Sequence, residues 1–281
     1  MRWGDLNLEL VSDGCLWLDG GAMFGVVPKP LWSRLTPSDE SNRIRLGMNC
    51  LLVQSGDVNL LIDSGCGNLF SDKEKKIYRI EHEKRLQEQL RTQAGLGPEE
   101  IDIVVNTHLH FDHAGGNTRR DKDGTLRPAF PNARYLVQER ELHDAGHPTE
   151  RNKASYNPDH WRPLQQSGQL QTVKGELEVI PGLTLIPTPG HTLGHQSVLI
   201  SSGGRKLFYI ADLCPTQTHV PLPWIMGYDL YPLTTLDSRK KIYPRALEEE
   251  WVVFFEHDHD RPTGRLTYNK GRYGVEKLDL F

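Results

Sequence analysis

The sequence predicts an α/β or α+β protein in which helices cover β-sheets, and three observations carry that expectation. Short segments rich in β-branched and aromatic residues recur along the chain, bounded by Gly, Pro, Asn or Asp. Two longer stretches between them have helical periodicity. Chemically distinctive residues then stand just beyond the ends of several strands, where loops on one edge of a sheet can converge.

The expected strands are Leu6–Val11, Cys50–Gln54, Asn59–Asp63, Ile103–Asn106, Arg134–Gln138, Leu177–Ile180, Thr184–Pro187, Gln196–Ser201, Lys206–Ala211 and Trp251–Phe255. A Ser-Gly-Asp turn precedes Asn59, so Cys50–Asp63 reads as a hairpin. A helix is expected over Glu81–Ala94, where Leu86 and Leu90 stand four apart among charges and Gly95 and Gly97 end the run. A second is expected over Leu236–Trp251, with Thr234 and Thr235 as caps. Strands mixed with helices in this way argue for layers, with helices packed on sheets.

Composition narrows the function. The 281 residues are 37% hydrophobic and 25% charged, enough to bury a sizeable core, and one domain over residues 1–281 is the expectation. The net charge of -4 lacks the basic footprint of a nucleic-acid binder. The N-terminal segment has no apolar signal core and no run is long enough to cross a bilayer. Cys15, Cys50, Cys66 and Cys214 lie far apart, which argues against a disulfide framework or a zinc ribbon. A cytoplasmic location, no nucleic-acid or membrane partner and a homodimer left open complete these expectations.

The chemistry concentrates in Asn106-Thr-His108-Leu-His110-Phe-Asp112-His113-Ala-Gly-Gly116. His108 and His110 alternate and can bind one cation from one side of an extended loop. Asp112 and His113 follow at once and can reach a second. Imidazole nitrogens suit zinc, and carboxylate oxygen hardens the second site toward Mn, Fe or Co as well. Three His and one Asp within six residues, with apolar Leu109 and Phe111 between them, are poorly explained as surface histidines. Gly115 and Gly116 allow a sharp backbone turn there. Downstream, His191 in Pro-Gly-His-Thr-Leu-Gly-His195, Asp212 at a strand end and His257 in Phe-Glu-His-Asp258 are each weak alone. Together the pieces supply five His and two Asp, enough for two metals with a water position open, as a catalytic site requires.

The set HLHFDHAGG, PGHTLGH, ADL and FEHD, after Leu61-Ile-Asp-Ser-Gly65, resembles the metallo-β-lactamase superfamily from about residue 6 to 260. The resemblance implies a four-layer αββα sandwich with metals at one edge. Within the superfamily, PGHTLGHQS and FEHD look most like quorum-quenching lactonases and methyl-parathion-hydrolase-like enzymes. By resemblance, His108, His110 and His191 hold one metal, Asp112, His113 and His257 hold the other, and Asp212 bridges. Asp63 matches the strand-end aspartate that orients the metal loop, and His195 reads as a structural or supporting histidine. His259 competes with His257 as ligand. The family pattern sets Asp directly after the ligand, as Asp258 stands here, and so selects His257.

The mechanism implied is attack by a hydroxide bridging two cations, probed by Asp112 as proton carrier to the leaving group and Asp212 as the catalytic bridge. Met23, Phe24, His219, Trp224 and Tyr228 are the candidates for a substrate pocket, with ordinary core packing an equal alternative for the apolar ones. His82, His143, His147 and His160 read as surface or capping residues, with His160 a weak pocket candidate. Acyl-homoserine lactonases carry a Tyr three residues after the bridging Asp. Here that position is Pro215, and Tyr228 or His219 stand as substitutes.

The expected function is therefore hydrolysis of small-molecule lactones, such as N-acyl-homoserine lactones, with two divalent ions, zinc first. Phosphotriester or aryl-ester hydrolysis by the same centre is the close alternative. Glyoxalase-II-like thioester cleavage is less supported, because only a short tail follows Asp260. The non-enzyme alternative is a metal-binding scaffold.

Overall fold

The computed structural model describes Met1–Phe281 and contains sixteen strands. In chain order they are β1 (Arg2–Trp3), β2 (Leu6–Asp19), β3 (Arg43–Ser55), β4 (Val58–Ile62), β5 (Ile103–Val105), β6 (Thr118–Arg120), β7 (Leu126–Pro128) and β8 (Arg134–Gln138). The rest are β9 (Leu170–Val173), β10 (Leu177–Ile180), β11 (Leu183–Pro187), β12 (Gln196–Ser202), β13 (Arg205–Tyr209), β14 (Val252–Phe254), β15 (Thr263–Asn269) and β16 (Arg272–Leu278).

The first part of the chain builds one seven-stranded sheet in the order β1-β2-β3-β4-β5-β8-β9. The second part builds another in the order β10-β11-β12-β13-β14-β15-β16, while β6 and β7 form a separate hairpin. Strands β4, β5, β8 and β9 are parallel, as are β13 and β14, and the other pairings are antiparallel. The central strands bury both faces, and their alternation sorts side chains between two cores. Leu51, Val53, Leu60, Ile62, Ile103 and Val105 meet Leu185, Val198, Ile200, Leu207, Tyr209 and Phe254 between the sheets. The alternate residues Cys50, Leu52, Leu61 and Val104 pack outward under Leu86, Leu90 and Leu164. On the far side Leu199, Phe208, Val253 and Phe255 pack under Ile242, Tyr243 and Ala246 of the helix Pro232–Glu248. The result is the αββα sandwich that the resemblance implied. Each Leu, Ile or Phe removed from water contributes roughly 1.5–3 kcal/mol to holding the layers together.

Several expected boundaries shift, for physical reasons. The strand expected at Leu6–Val11 runs on to Asp19, because Ser12-Asp13-Gly14 forms a bulge with Gly14 at φ 94° and the register to β3 resumes at Cys15. Its partner extends back to Arg43. The helix expected at Glu81–Ala94 begins only at Leu86 and closes with a wide turn over Leu90–Ala94. Glu81 is not helical because its backbone exchanges two hydrogen bonds with Cys15, both 2.8 Å. The later helix starts at Pro232, which needs no donor in a first turn, so Thr234 and Thr235 lie inside it rather than capping it. The β15–β16 hairpin, absent from the sequence expectation, carries Arg265, Lys270, Arg272 and Lys277 and lacks the apolar signature of a strand.

Strands β5, β11, β13 and β14 all end on one rim of the sandwich. The two rims are tied there: Gln196 N–H donates to Thr107 O at 3.0 Å, and the Tyr209 hydroxyl donates to Asn49 O at 2.8 Å. No helix is long and apolar enough to cross a membrane.

Candidate metal centre

The loop after β5 carries His108 and His110 and turns into the short helix Phe111–Ala114, which carries Asp112 and His113. Gly115 and Gly116 follow in ordinary helical-type backbone, so their role is space rather than the sharp turn expected of them. A Cβ at Gly115 would stand 2.1 Å from Cys66 O, and one at Gly116 2.1 Å from Ser64 O. From the second sheet, β11 leads to His191, β13 to Asp212 and β14 to His257.

The structure brings all seven candidate ligands together, each buried. One group is His108, His110 and His191, a second is Asp112, His113 and His257, and within each the ligand atoms lie within 4.8 Å of one another. Asp212 faces both. Its Oδ2 is 3.1 Å from His191 Nε2 and 3.7 Å from His108 Nε2, while its Oδ1 is 3.2 Å from His257 Nε2. His259 lies outside, its Nδ1 3.0 Å from Asp260 and its Nε2 against Arg45.

Carboxylates and carbonyls fix the imidazole tautomers from behind. Asp63 accepts from Thr107 N–H at 2.8 Å and from the Thr107 hydroxyl at 2.7 Å, and lies 3.1 Å from His113 Nδ1. Asp63 holds a left-handed backbone, φ 57°, and Ala211 beside Asp212 does the same at φ 49°. Such conformations cost on the order of 1 kcal/mol or more and persist where surroundings enforce them. Glu256 Oε2 is 2.9 Å from the same His113 nitrogen, and burial pushes the Glu256 carboxyl up to about 8. Asp229 Oδ1 is 2.9 Å from His191 Nδ1, and Gly47 O is 2.8 Å from His257 Nδ1. Each arrangement leaves Nε2 pointing at the shared centre.

Sequence reasoning missed Glu256 and Asp229 in these roles. The signal for Glu256 was its place beside His257 at the end of an apolar strand. Asp229 gave none, because its partner is 38 residues away.

His108 Nε2, His110 Nε2, His113 Nε2 and Asp212 Oδ1 are buried with no hydrogen-bond partner. Unpaired buried polar atoms are individually costly and rare. Three of them, on His108, His113 and Asp212, meet at one point, while His110 turns its Nδ1 to within 2.9 Å of His191 Nε2; such a set of imidazoles and carboxylates is the donor arrangement that divalent cations satisfy.

A cavity of about 180 Å³ opens over the centre and is lined by Leu18, Met23, Tyr78, Phe111, Met226 and Tyr228, with Asp112, His191, Asp212 and His257 at its floor. Of the pocket candidates, only Met23 and Tyr228 line it. Phe24 is core, stacked on Trp32 at 4.9 Å and on His219 at 4.4 Å. His219 is fully buried, with Thr216 Oγ1 2.7 Å from Nδ1 and Met23 O 2.9 Å from Nε2. It cannot reach a substrate. Trp224 stands edge-on to Phe24 and lines a different surface groove.

His195 is buried, its Nδ1 2.9 Å from Thr188 Oγ1 and its ring 5.3 Å from that of His108, and burial pushes its pKa down to about 3. His160, expected at the surface, is instead buried beside Asn157. Cys66 is buried and its thiol is pushed well up by that burial, so it offers no nucleophile.

Comparison with known proteins agrees with this geometry. An N-acyl homoserine lactonase from a Bacillus species is 29% identical over 245 residues, covering 83% of this chain and 88% of its own. The crystal structure of a probable metal-dependent hydrolase from Staphylococcus aureus superposes with a TM-score of 0.88 over the whole of both chains, at 32% identity. AidC, a dizinc quorum-quenching lactonase, shares the fold with a TM-score of 0.81 over 100% of this chain and 97% of its own, at 22% identity. The pattern of the Metallo-beta-lactamase superfamily matches residues 44–257, and the chain belongs to that superfamily.

Proposed function

We propose that this chain is a dinuclear, zinc-dependent hydrolase that opens lactone rings, with N-acyl homoserine lactones as its substrate class. The observation that carries the reading is the convergence of seven buried ligand side chains, with His108 Nε2, His113 Nε2 and Asp212 Oδ1 among them lacking any hydrogen-bond partner within the protein. The N-acyl homoserine lactonase at 29% identity over most of both chains supports the substrate class.

His108, His110 and His191 would hold one cation, Asp112, His113 and His257 the other, with Asp212 between them. When bound, such a pair lowers the pKa of water to about 7, polarises the scissile carbonyl and neutralises the leaving alkoxide. The protein's own contribution is positioning. Asp63, Asp229 and the Gly47 carbonyl fix the ring orientations. Asp112 stands at the cavity floor, where its carboxylate can carry a proton to the departing oxygen. Tyr228 lines the cavity with a phenol pushed up to about 12 by burial, so at neutral pH it is a hydrogen-bond donor, as an acyl or lactone oxygen requires. It takes the part that Pro215 cannot. Met23, Met226, Phe111 and Leu18 give the cavity its apolar walls, suited to an acyl chain.

The test is the zinc-reconstituted protein assayed side by side on an N-acyl homoserine lactone, an aryl ester and a phosphotriester. Chelator-sensitive ring opening that is fastest on the lactone, and lost in His110→Ala and Asp212→Ala, is expected. Preference for the ester or phosphotriester would move the substrate class, and full activity of metal-free protein would overturn the reading.

A further inference from the structure

Glu141 lies on the helix Glu139–Gly146, outside the seven ligands and the groups hydrogen-bonded to them, yet it is fully buried. Its oxygens are shared among three donors. The Leu109 N–H donates to Oε1 at 3.0 Å, the Tyr156 hydroxyl to Oε1 at 3.0 Å, and the Thr192 hydroxyl to Oε2 at 2.6 Å. Leu109 is the residue between His108 and His110. Thr192 follows His191 directly. Tyr156 packs edge-on against the His110 ring at 4.7 Å and pairs with His110 through a β-bridge. Every donor to this one carboxylate is thus adjacent to a side chain of the His108–His110–His191 group.

The two loops come from different sheets, the first from β5 and the second from β11. Chain packing closes the same gap: a Cβ at Gly194 would stand 2.2 Å from Glu141 N, so the His191 loop approaches the helix backbone as closely as glycine permits. A carboxylate has no donor of its own when ionised, and three donors from three segments engage both of its oxygens. Buried, such bonds are short and costly to break. The outer contacts of the Asp112–His113–His257 group are different ones, Asp63, Glu256 and Gly47 O.

We infer that Glu141 is a positioning residue that sets the spacing between the His108–His110 loop and the His191 loop, and so sets cation affinity at that group selectively. The inference rests on the dinuclear reading above. Glu141 touches neither substrate nor cation, and its effect passes through Leu109, Tyr156 and Thr192.

The experiment is equilibrium zinc binding by chelator competition, with stoichiometry from elemental analysis, on wild type, Glu141→Leu and Glu141→Gln. Removing groups that orient metal ligands typically costs about 10–100-fold in affinity. Glu141→Leu is expected to weaken one of two zinc equivalents by that factor and leave the other near its wild-type value. Glu141→Gln is expected to restore most of it. The amide oxygen can accept from Leu109 and Tyr156, and the amide nitrogen can donate to the Thr192 hydroxyl. A purely structural role would instead lower the melting temperature of the metal-free protein without changing zinc affinity.

Two unchanged equivalents in a folded Glu141→Leu overturn the inference and leave the dinuclear reading standing. Wild type that binds no zinc overturns both. If Glu141→Leu does not fold, Thr192→Val and Tyr156→Phe each remove one donor, and unchanged zinc affinity in both overturns the inference equally.

Discussion

Asp229 Oδ1 stands 2.9 Å from His191 Nδ1, and both side chains are buried. The carboxylate comes from the segment between Asp212 and the helix Pro232–Glu248, so a loop with no ligand of its own orients a ligand from β11. Asp229→Ala is expected to weaken zinc binding by about 10–100-fold while leaving the fold intact. Competition titration against a chelator reads the first, and circular dichroism the second. Asp229→Asn should fall between, since an amide oxygen still accepts from Nδ1–H.

Cation removal should cost stability as well as activity. The unpaired Nε2 atoms of His108 and His113 would gain a partner from a cation, and a ligand that binds only the folded state stabilises it by mass action. That amounts to about 2.7 kcal/mol at a hundredfold excess over Kd. Calorimetry of metal-free and zinc-titrated protein should show a melting temperature that climbs with free zinc. A melting temperature indifferent to zinc would contradict the site.

Acid should destabilise the metal-free protein through His160. Burial pushes its pKa down to about 4, against about 6.5 in an unfolded chain. Between those values the unfolded state binds more protons. The stability is therefore fully present above about pH 6.5 and is lost as pH falls toward 4. At pH 5 the loss from this residue alone is about 2 kcal/mol. His160→Gln should show a shallower fall in urea midpoint between pH 7 and pH 5 than wild type. An equal fall in both would refute the assignment.

Arg239 is fully buried on the helix Pro232–Glu248 and donates Nε to Leu213 O at 2.7 Å, and Nη1 to His219 O at 2.9 Å and Trp224 O at 3.0 Å. It is the peg around which the loop beyond Asp212 folds. Arg239→Met leaves three carbonyls without their donor, at roughly 1–3 kcal/mol each where they stay dry. A drop of several kcal/mol in denaturant stability is expected, together with weaker substrate binding, because the same loop delivers Tyr228 to the cavity.

How much of this was legible beforehand depended on where each signal sits. His108 to His113 declare themselves because four ligands crowd into six residues, and crowding survives translation into one dimension. Strands such as Arg134–Gln138 and Leu177–Ile180 were readable from their residue types and flanking turn residues and are found at those bounds. The β15–β16 hairpin was not, because an exposed strand carries charges and gives no period. Glu256 and Asp229 escaped because a carboxyl group packed behind an imidazole looks in sequence like any other acid. His219, in a Pro-rich stretch, resembled a pocket wall, and Phe24 was open between pocket and core; here they stack on each other inside the core at 4.4 Å. Tertiary packing alone decides between those outcomes.

The division of the chain into two sheets has a consequence for the order of events in synthesis. The trios His108–His110–His191, His108–His113–Asp212 and Asp112–His113–His257 each draw two members from the loop after β5 and one from the second sheet. A nascent chain that has emerged only as far as β9 can complete none of them. Cation capture would therefore wait until the second sheet has formed through β14 and docked on the first, which makes a loaded centre a sign that the two sheets have met in register.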